Sequence, residues 1–288
     1  MHHNQTLEER IAEHYGALSR QLQKAADFVI ANPLEIASRS LRSISTASDV
    51  SPATFSRLSR ALGYVSFEEM KDESRSSIEE QVPSFAEKAE RLRAEGATAR
   101  TMLDRQSAAC IHNIETLVRK TDARRLEDAA KTLRCSNQVL LFGALGSTGI
   151  VEYMAYLAQY FAPNWSLAGR MGASLGSAMA GLGAGDAVLI VTKTPYVKRA
   201  VTVARLAKQS GADVILLTDM HQCPALAHAS YAFIVPSESP QFFSSYAATL
   251  VLIETLIAMI VASSEDAATA SIREIEDNNR ALGEYWAE

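Results

Sequence analysis

The spacing of apolar positions changes character near the middle of the chain. Up to about Cys135 they recur every three or four residues, the repeat of one helix face. From Asn137 onward short apolar runs alternate with helical stretches, which predicts strands joined by helical crossovers. Residues Thr6 to Ile30 predict a helical run whose stripe is Leu7, Ile11, Leu18, Leu22, Ala25, Phe28 and Val29, ended by Asn32-Pro33. Leu41, Ile44 and Ala47 predict a short helix; Phe55, Leu58 and Leu62 predict a second, with Ser48-Asp49-Val50 as the break between them. Ser51 suits an N-cap, since its hydroxyl can accept from an orphan backbone N–H. Pro52 suits the first helical position, and Gly63 the stop.

Beyond Lys71 the chain to about Cys135 predicts charged helices in which basic residues are interleaved with glutamates, the pattern of a solvated or interhelical face. Pro83 and Gly96 are its candidate hinges. After it come predicted strands in QVLLFGA, WSLAG, DAVLIVT, ADVILLTD and YAFIVP. Helices are predicted in GSTGIVEYMAYLAQYF, KRAVTVARLAKQ and FFSSYAATLVLIETLIAMIVA. Alternation at this spacing implies right-handed crossovers and a parallel sheet covered on both faces. The predicted fold is therefore an all-α domain over residues 1–75, a helical linker with dimer contacts over 76–135, and an α/β domain with a parallel sheet flanked by helices over 136–288.

Composition narrows the class. At 288 residues, 48% hydrophobic and 21% charged, the chain is long enough for two cored domains. Cys110, Cys135 and Cys223 are an odd number without CxxC spacing, which predicts reduced structural thiols in a cytosol and neither zinc nor a disulfide framework. The N-terminus has no basic-then-apolar arrangement, so no signal peptide is expected. The apolar run from Ala247 to Ala262 contains Glu254 and falls short of the ~20 residues a bilayer requires. No membrane association and no cofactor are expected.

Charge changes the picture at one place. From Arg39 to Leu62 four arginines, Arg39, Arg42, Arg57 and Arg60, stand against Asp49 alone, a net of +3 inside a chain of net −5. The predicted outer face of the second short helix holds Ala53, Thr54, Ser56, Arg57 and Arg60, with Ser51 at its start. Small residues let a helix enter a major groove, hydroxyls reach phosphates or base edges, and an arginine fork matches guanine or a phosphate. This is the layout of a helix-turn-helix whose second helix reads DNA. A short helix pair with two exposed arginines also occurs in helical domains that bind nothing.

The stretch from Leu18 to Lys71, with KAADFVIANP, SPATFSRLSRALGY and SFEEMK, resembles the N-terminal domain of RpiR-type bacterial transcriptional regulators. The resemblance implies that the segment starting at Ser51 is the recognition helix, with Thr54, Arg57 and Arg60 at matching positions. Asp49 stands where the family usually has a turn glycine; Asp tolerates a left-handed backbone better than most residues.

Two loops fall at predicted strand ends, where open parallel sheets bind ligands. Gly143-Ala144-Leu145-Gly146-Ser147-Thr148-Gly149 precedes a helix and can point backbone N–H groups at an anion. Thr192-Lys193-Thr194-Pro195-Tyr196 supplies two hydroxyls and an ammonium. The glycine spacing fits neither a dinucleotide fingerprint nor a P-loop, and tight turns with capping hydroxyls would look the same. Residues from about 137 to 262, including RLEDAAKTLRCSNQVLLFGALGSTGIVEYMAYLA, resemble a sugar isomerase (SIS) domain. That resemblance implies a phosphorylated sugar or related metabolite between these loops, with Gly146, Ser147 and Thr148 matching the first of them. The second departs from Ser-x-Ser-Gly, since Pro195 has no donor, and this widens the ligand class to another anion, a polyol or an acid. Thr192, Lys193, Thr194 and, beyond a later strand, Glu238 complete the candidate contacts.

Two functions follow. The first is a metabolite-responsive regulator, a repressor of a carbohydrate or related catabolic operon, that binds double-stranded operator DNA as a homodimer or homotetramer. The second is a sugar-phosphate isomerase with an accessory helical domain. Isomerisation needs a base beside the substrate; His221, His228, Glu238 and Glu254 are the candidates, and they form no coherent acid/base pair.

Overall fold

The computed structural model of the chain describes residues 7–81, 84–96, 98–169, 174–264 and 266–286. The chain divides into two compact units, Met1–Lys88 and Ala89–Glu288.

The first unit is helical: α1 (Leu7–His14), a 3-10 turn (Tyr15–Ala17), α2 (Arg20–Ala31), α3 (Pro33–Ser38), α4 (Leu41–Ser48), α5 (Pro52–Ala61) and α6 (Phe67–Gln81). Ile11, Ile36, Ile44, Phe55, Leu58, Leu62 and Met70 are buried together. Phe55 is the centre of an aromatic stack, edge-on to Phe28 at 6.3 Å and to Phe67 at 5.9 Å between centroids.

The helical run predicted over 6–30 is in fact two helices. Leu18 and Ser19 are extended, with ψ of 142° and 158°, because Leu18 is drawn into the core while Ser19 opens α2. Thr6 lies outside the described residues. Ala47, predicted on the apolar face of α4, is exposed; Val50, after the turn, fills that part of the core at 3% exposure.

The division between units falls within α7 (Phe85–Ala94), which α8 (Ala99–Lys120) and α9 (Ala123–Cys135) follow. Of the two predicted hinges, Gly96 has a left-handed φ of 57° between α7 and α8, and Pro83 lies outside the described residues. Then come β1 (Val139–Gly143), α10 (Thr148–Ala158), β2 (Trp165–Leu167), α11 (Leu175–Met179), β3 (Ala187–Val191), α12 (Lys198–Ser210), β4 (Asp213–Thr218), β5 (Tyr231–Ile234), α13 (Ala247–Ser263) and α14 (Asp266–Ala281).

The five strands form one parallel sheet in the order β2-β1-β3-β4-β5. Alternate residues feed two cores, as a pleated strand buried on both sides requires. Val139, Leu141, Leu189 and Ile215 face α8, α9, α10 and α13; Leu140, Phe142, Ile190 and Leu216 face α12. Among the described residues no single helix is long and apolar enough to cross a membrane.

The helix predicted from Phe242 begins at Ala247 instead. Residues 242–246 form a loop, because the Ser245 amide donates to the Ser237 carbonyl at 3.0 Å and the Ser245 hydroxyl accepts from the Ala247 amide at 3.3 Å. This loop matters, since it lies against both predicted ligand loops. The strand order reverses between β1 and β3, so their carboxyl ends are the point where a parallel sheet opens a crevice.

Candidate DNA-reading helix and effector pocket

The turn between α4 and α5 is made at Asp49, whose φ of 53° and ψ of 40° are left-handed. Lys24 supports it, donating to the Asp49 carbonyl at 3.1 Å and pairing with its carboxylate at 3.4 Å. Ser51 caps α5, accepting from the Thr54 amide at 3.2 Å, with Pro52 in the first turn. Gly63 takes a φ of 89° beyond the helix end.

On α5, Ala53, Arg57, Arg60 and Ala61 are exposed. Neither the Arg57 nor the Arg60 side chain makes a hydrogen bond or ion pair with another described residue, and no acid lies on this helix. Thr54 departs from its predicted place on the outer face. It is 4% exposed, and its hydroxyl lies 2.9 Å from that of Ser51, so it completes the cap and faces inward. Ser56 is half-buried and donates to the Pro52 carbonyl at 3.1 Å, leaving its oxygen lone pairs for a partner. Ala61 was not among the predicted contacts, because its side chain carries no chemistry a motif could single out.

In the second unit β1 ends at Gly143 and α10 starts at Thr148, joined by a 3-10 turn over Leu145–Ser147. Gly143 is required there: a Cβ on it would run into the Ser147 carbonyl. Gly146 is likewise pressed by Phe243, whose ring would lie 2.6 Å from an added Cβ. Leu145, between them, holds a φ of 52° and is 71% exposed. The Ser147 side chain is buried and lies 3.0 Å from the Tyr246 hydroxyl.

Beside this turn is a cavity of about 210 Å³ lined by the 142–145 turn, Thr148, Ala168, Gly169, Leu175 and Arg199. Of the predicted effector contacts, Thr148 alone is on its wall. Among the described residues Arg199, exposed in the first turn of α12, supplies its charge, and its side chain makes no hydrogen bond or ion pair with another of them. Sequence reading passed over Arg199 in favour of Lys193; its one signal was a position just past a strand-end loop.

The second loop turns its groups elsewhere. Thr192 is buried. Lys193 is 6% exposed and donates to the Ser245 carbonyl at 3.0 Å, with its ammonium 4.8 Å from the Tyr246 ring centroid. Burial lowers its pKa to about 8, against an opposing pull from the Asp219 carboxylate. Asp219 gathers the rest of the loop. It accepts from the Thr194 amide at 3.0 Å, the Thr194 hydroxyl at 3.4 Å and the Tyr196 hydroxyl at 3.1 Å. Burial, then the nearby Asp219 charge, pushes the Tyr196 pKa well up, so its phenol stays a donor.

Glu238 has an exposed side chain. Its backbone is clasped on both sides by the buried amide of Asn113 on α8, which donates to its carbonyl at 2.8 Å and accepts from its N–H at 3.2 Å. Glu254, an isomerase candidate, accepts from Tyr153 at 2.9 Å on the outer surface.

The comparisons with known proteins agree with this division. The profile of the helix-turn-helix domain of the rpiR family matches residues 5–81, and that of the SIS domain matches 132–259. A helix-turn-helix-type transcriptional regulator of Haemophilus influenzae is 24% identical over 272 residues, 90% of this chain and 91% of that protein. Another, from Caldanaerobacter subterraneus, is 26% identical over 246 residues, 82% and 84% of the two chains. Among solved structures, Vibrio vulnificus NanR complexed with ManNAc-6P is similar with a TM-score of 0.64 at 16% identity, covering 96% of this chain and 99% of that one. The sugar isomerase domain of an RpiR transcription factor from Sphaerobacter thermophilus has a TM-score of 0.56 at 18% identity, covering 60% and 96%. With a capped reading helix followed by a five-stranded SIS sheet, the chain belongs to the RpiR family of helix-turn-helix transcriptional regulators.

Proposed function

We propose that this protein is a repressor of a carbohydrate or related catabolic operon, and that a small molecule bound in its SIS domain changes its operator affinity. The observation that carries the DNA side is the face of α5, where Arg57 and Arg60 stand exposed and unneutralised on a helix pinned at both ends. Arg57 and Arg60 take bases or phosphates, Ala53 and Ser56 permit close approach, and Ser51 with Thr54 fixes the helix start. One such helix makes few contacts, so the working form is a homodimer or tetramer on a two-fold operator with half-sites about 34 Å apart or a multiple of that.

The effector side rests on the turn at Gly146, Ser147 and Thr148 and on the loop at Thr192, Lys193 and Thr194. In this reading Thr148 touches the ligand, and the second loop and Glu238 form the frame around it. That NanR is complexed with ManNAc-6P supports a sugar phosphate or related anion as the ligand class. A role without catalysis is supported by the relatives, which are transcriptional regulators. It is also supported by the cavity wall, where the described residues offer neither carboxylate nor imidazole as a base.

The test is a titration of the purified protein against the DNA upstream of its own gene, with and without sugar phosphates, polyols and sugar acids. Salt-sensitive, sequence-specific binding that one compound releases is the expected result. Equal affinity for random DNA, together with turnover of a sugar phosphate, would replace this reading with the isomerase.

A further inference from the structure

We propose that Arg199 is the specificity residue of the effector pocket, binding the oxyanion of a small acidic ligand in the cavity at the carboxyl end of β1. The inference rests on the effector reading above and deepens it.

The second loop has little left to offer an anion. The Thr194 amide and hydroxyl both go to Asp219, the Lys193 ammonium goes to the Ser245 carbonyl, and Pro195 has no N–H. A carboxylate already sits where that loop would have to receive a second negative charge, which makes it a poor anion seat. The cavity one strand over has the opposite character. Most of the surface it presents is polar, and among the described residues its one charged group is Arg199, whose side chain has no partner there. Arg199 is exposed, with no protein acceptor to compete for its guanidinium, so a planar or tetrahedral oxyanion can take both of its prongs. Thr148 adds a hydroxyl at the first turn of α10, whose dipole favours the same sign of charge.

Size and charge together define the ligand. About 210 Å³ is below the ~300 Å³ at which drug-sized pockets begin, and the one cation that the described residues place on the wall matches one acidic group. The chemistry is a small hydroxylated acid whose phosphate or carboxylate meets Arg199 while its carbon face lies on Leu145 and Leu175.

The test is calorimetric titration of the full chain with ribose 5-phosphate, ribonate, ribose and inorganic phosphate. An acidic probe binds and ribose does not; Arg199→Gln weakens that probe about tenfold or more and Arg199→Lys less, because lysine loses the two-pronged contact. Lys198→Gln, which removes an exposed cation one residue away and off the cavity wall, changes the affinity by less than about threefold, and unliganded Arg199→Gln melts at the wild-type temperature because its guanidinium holds no other part of the fold. Preference for ribose 5-phosphate assigns a phosphate, and preference for ribonate a carboxylate. Unchanged affinity in Arg199→Gln, an equal loss in Lys198→Gln, or binding of ribose as tight as that of its phosphate each overturns the assignment, as does failure of every acidic probe. If operator binding still responds to some compound in those cases, the effector reading stands without Arg199. If operator DNA is indifferent to every compound, both fall.

Discussion

Lys193 has one carbonyl and one aromatic face around its ammonium, and no ion-pair partner among the described residues. Desolvation disfavours its charged form and lowers its pKa to about 8, whereas the unfolded chain holds the proton up to the ordinary lysine value of about 10.4. Between those values the unfolded state binds more protons, so this group makes the fold more stable as pH rises. Unfolding in urea between pH 8 and 9.5, followed by the fluorescence of Trp165 and Trp286, should give wild-type stability rising relative to Lys193→Met. The limit on that rise is about 1.4 kcal/mol per pH unit. A parallel pH dependence in the two proteins would mean the ammonium is solvated.

The arginines of α5 are the other residues whose role a single substitution can separate. Arg57→Ala should cost about 1–3 kcal/mol of operator affinity if it reads a base, with relaxed preference at one base pair. A uniform loss over operator point variants would make Arg57 a phosphate clamp. Arg60→Ala, measured on the same variants, separates the two roles along the helix.

At the scale of elements, the start of α10 is set by two glycines in different situations. An alanine at 143 meets the backbone of Ser147, which cannot move without shifting the helix, whereas one at 146 meets the edge of the Phe243 ring, which can rotate. Gly143→Ala should therefore lower stability by more than Gly146→Ala, with overpacking costs of about 1–3 kcal/mol, read from the urea transition. Asn113 acts between elements as well: with no exposed surface, it ties α8 to the backbone of Glu238 by two hydrogen bonds. The segment it holds continues into the loop that receives Lys193 and Ser147, so α8 fixes the frame of the pocket from behind.

For the whole molecule the contrast between a net charge of −5 and a local excess of +3 over residues 39–62 governs association with DNA. The acidic remainder limits non-specific binding, while the patch concentrates attraction at the reading face. Operator affinity should fall steeply as salt rises, and removing an arginine that touches a phosphate should reduce the logarithmic salt slope by about 1. A titration at two salt concentrations with the wild type and Arg60→Ala measures this. An unchanged slope would place that side chain away from the backbone of the duplex.

What the amino-acid sequence by itself determined was local. Ser51, Pro52 and Gly63 set the bounds of α5 through a hydroxyl cap, a missing N–H and a positive φ, each acting within a few residues. Asp49 could be read as the left-handed turn for the same reason. Alternating apolar runs gave away the parallel sheet, because strands buried on both faces are apolar throughout. Tertiary structure decided what depends on partners far along the chain. Periodicity put Ala47 inside and Thr54 outside, yet Val50 filled the core place of the first and the capping hydroxyl drew the second inward. The helix expected from Phe242 starts at Ala247, since Ser245 is held by Ser237 and its carbonyl by Lys193. Lys193 and Arg199 are both cations at the end of one strand. Only the packing of residues about fifty positions downstream turned the first toward Ser245 and left the second to line the cavity.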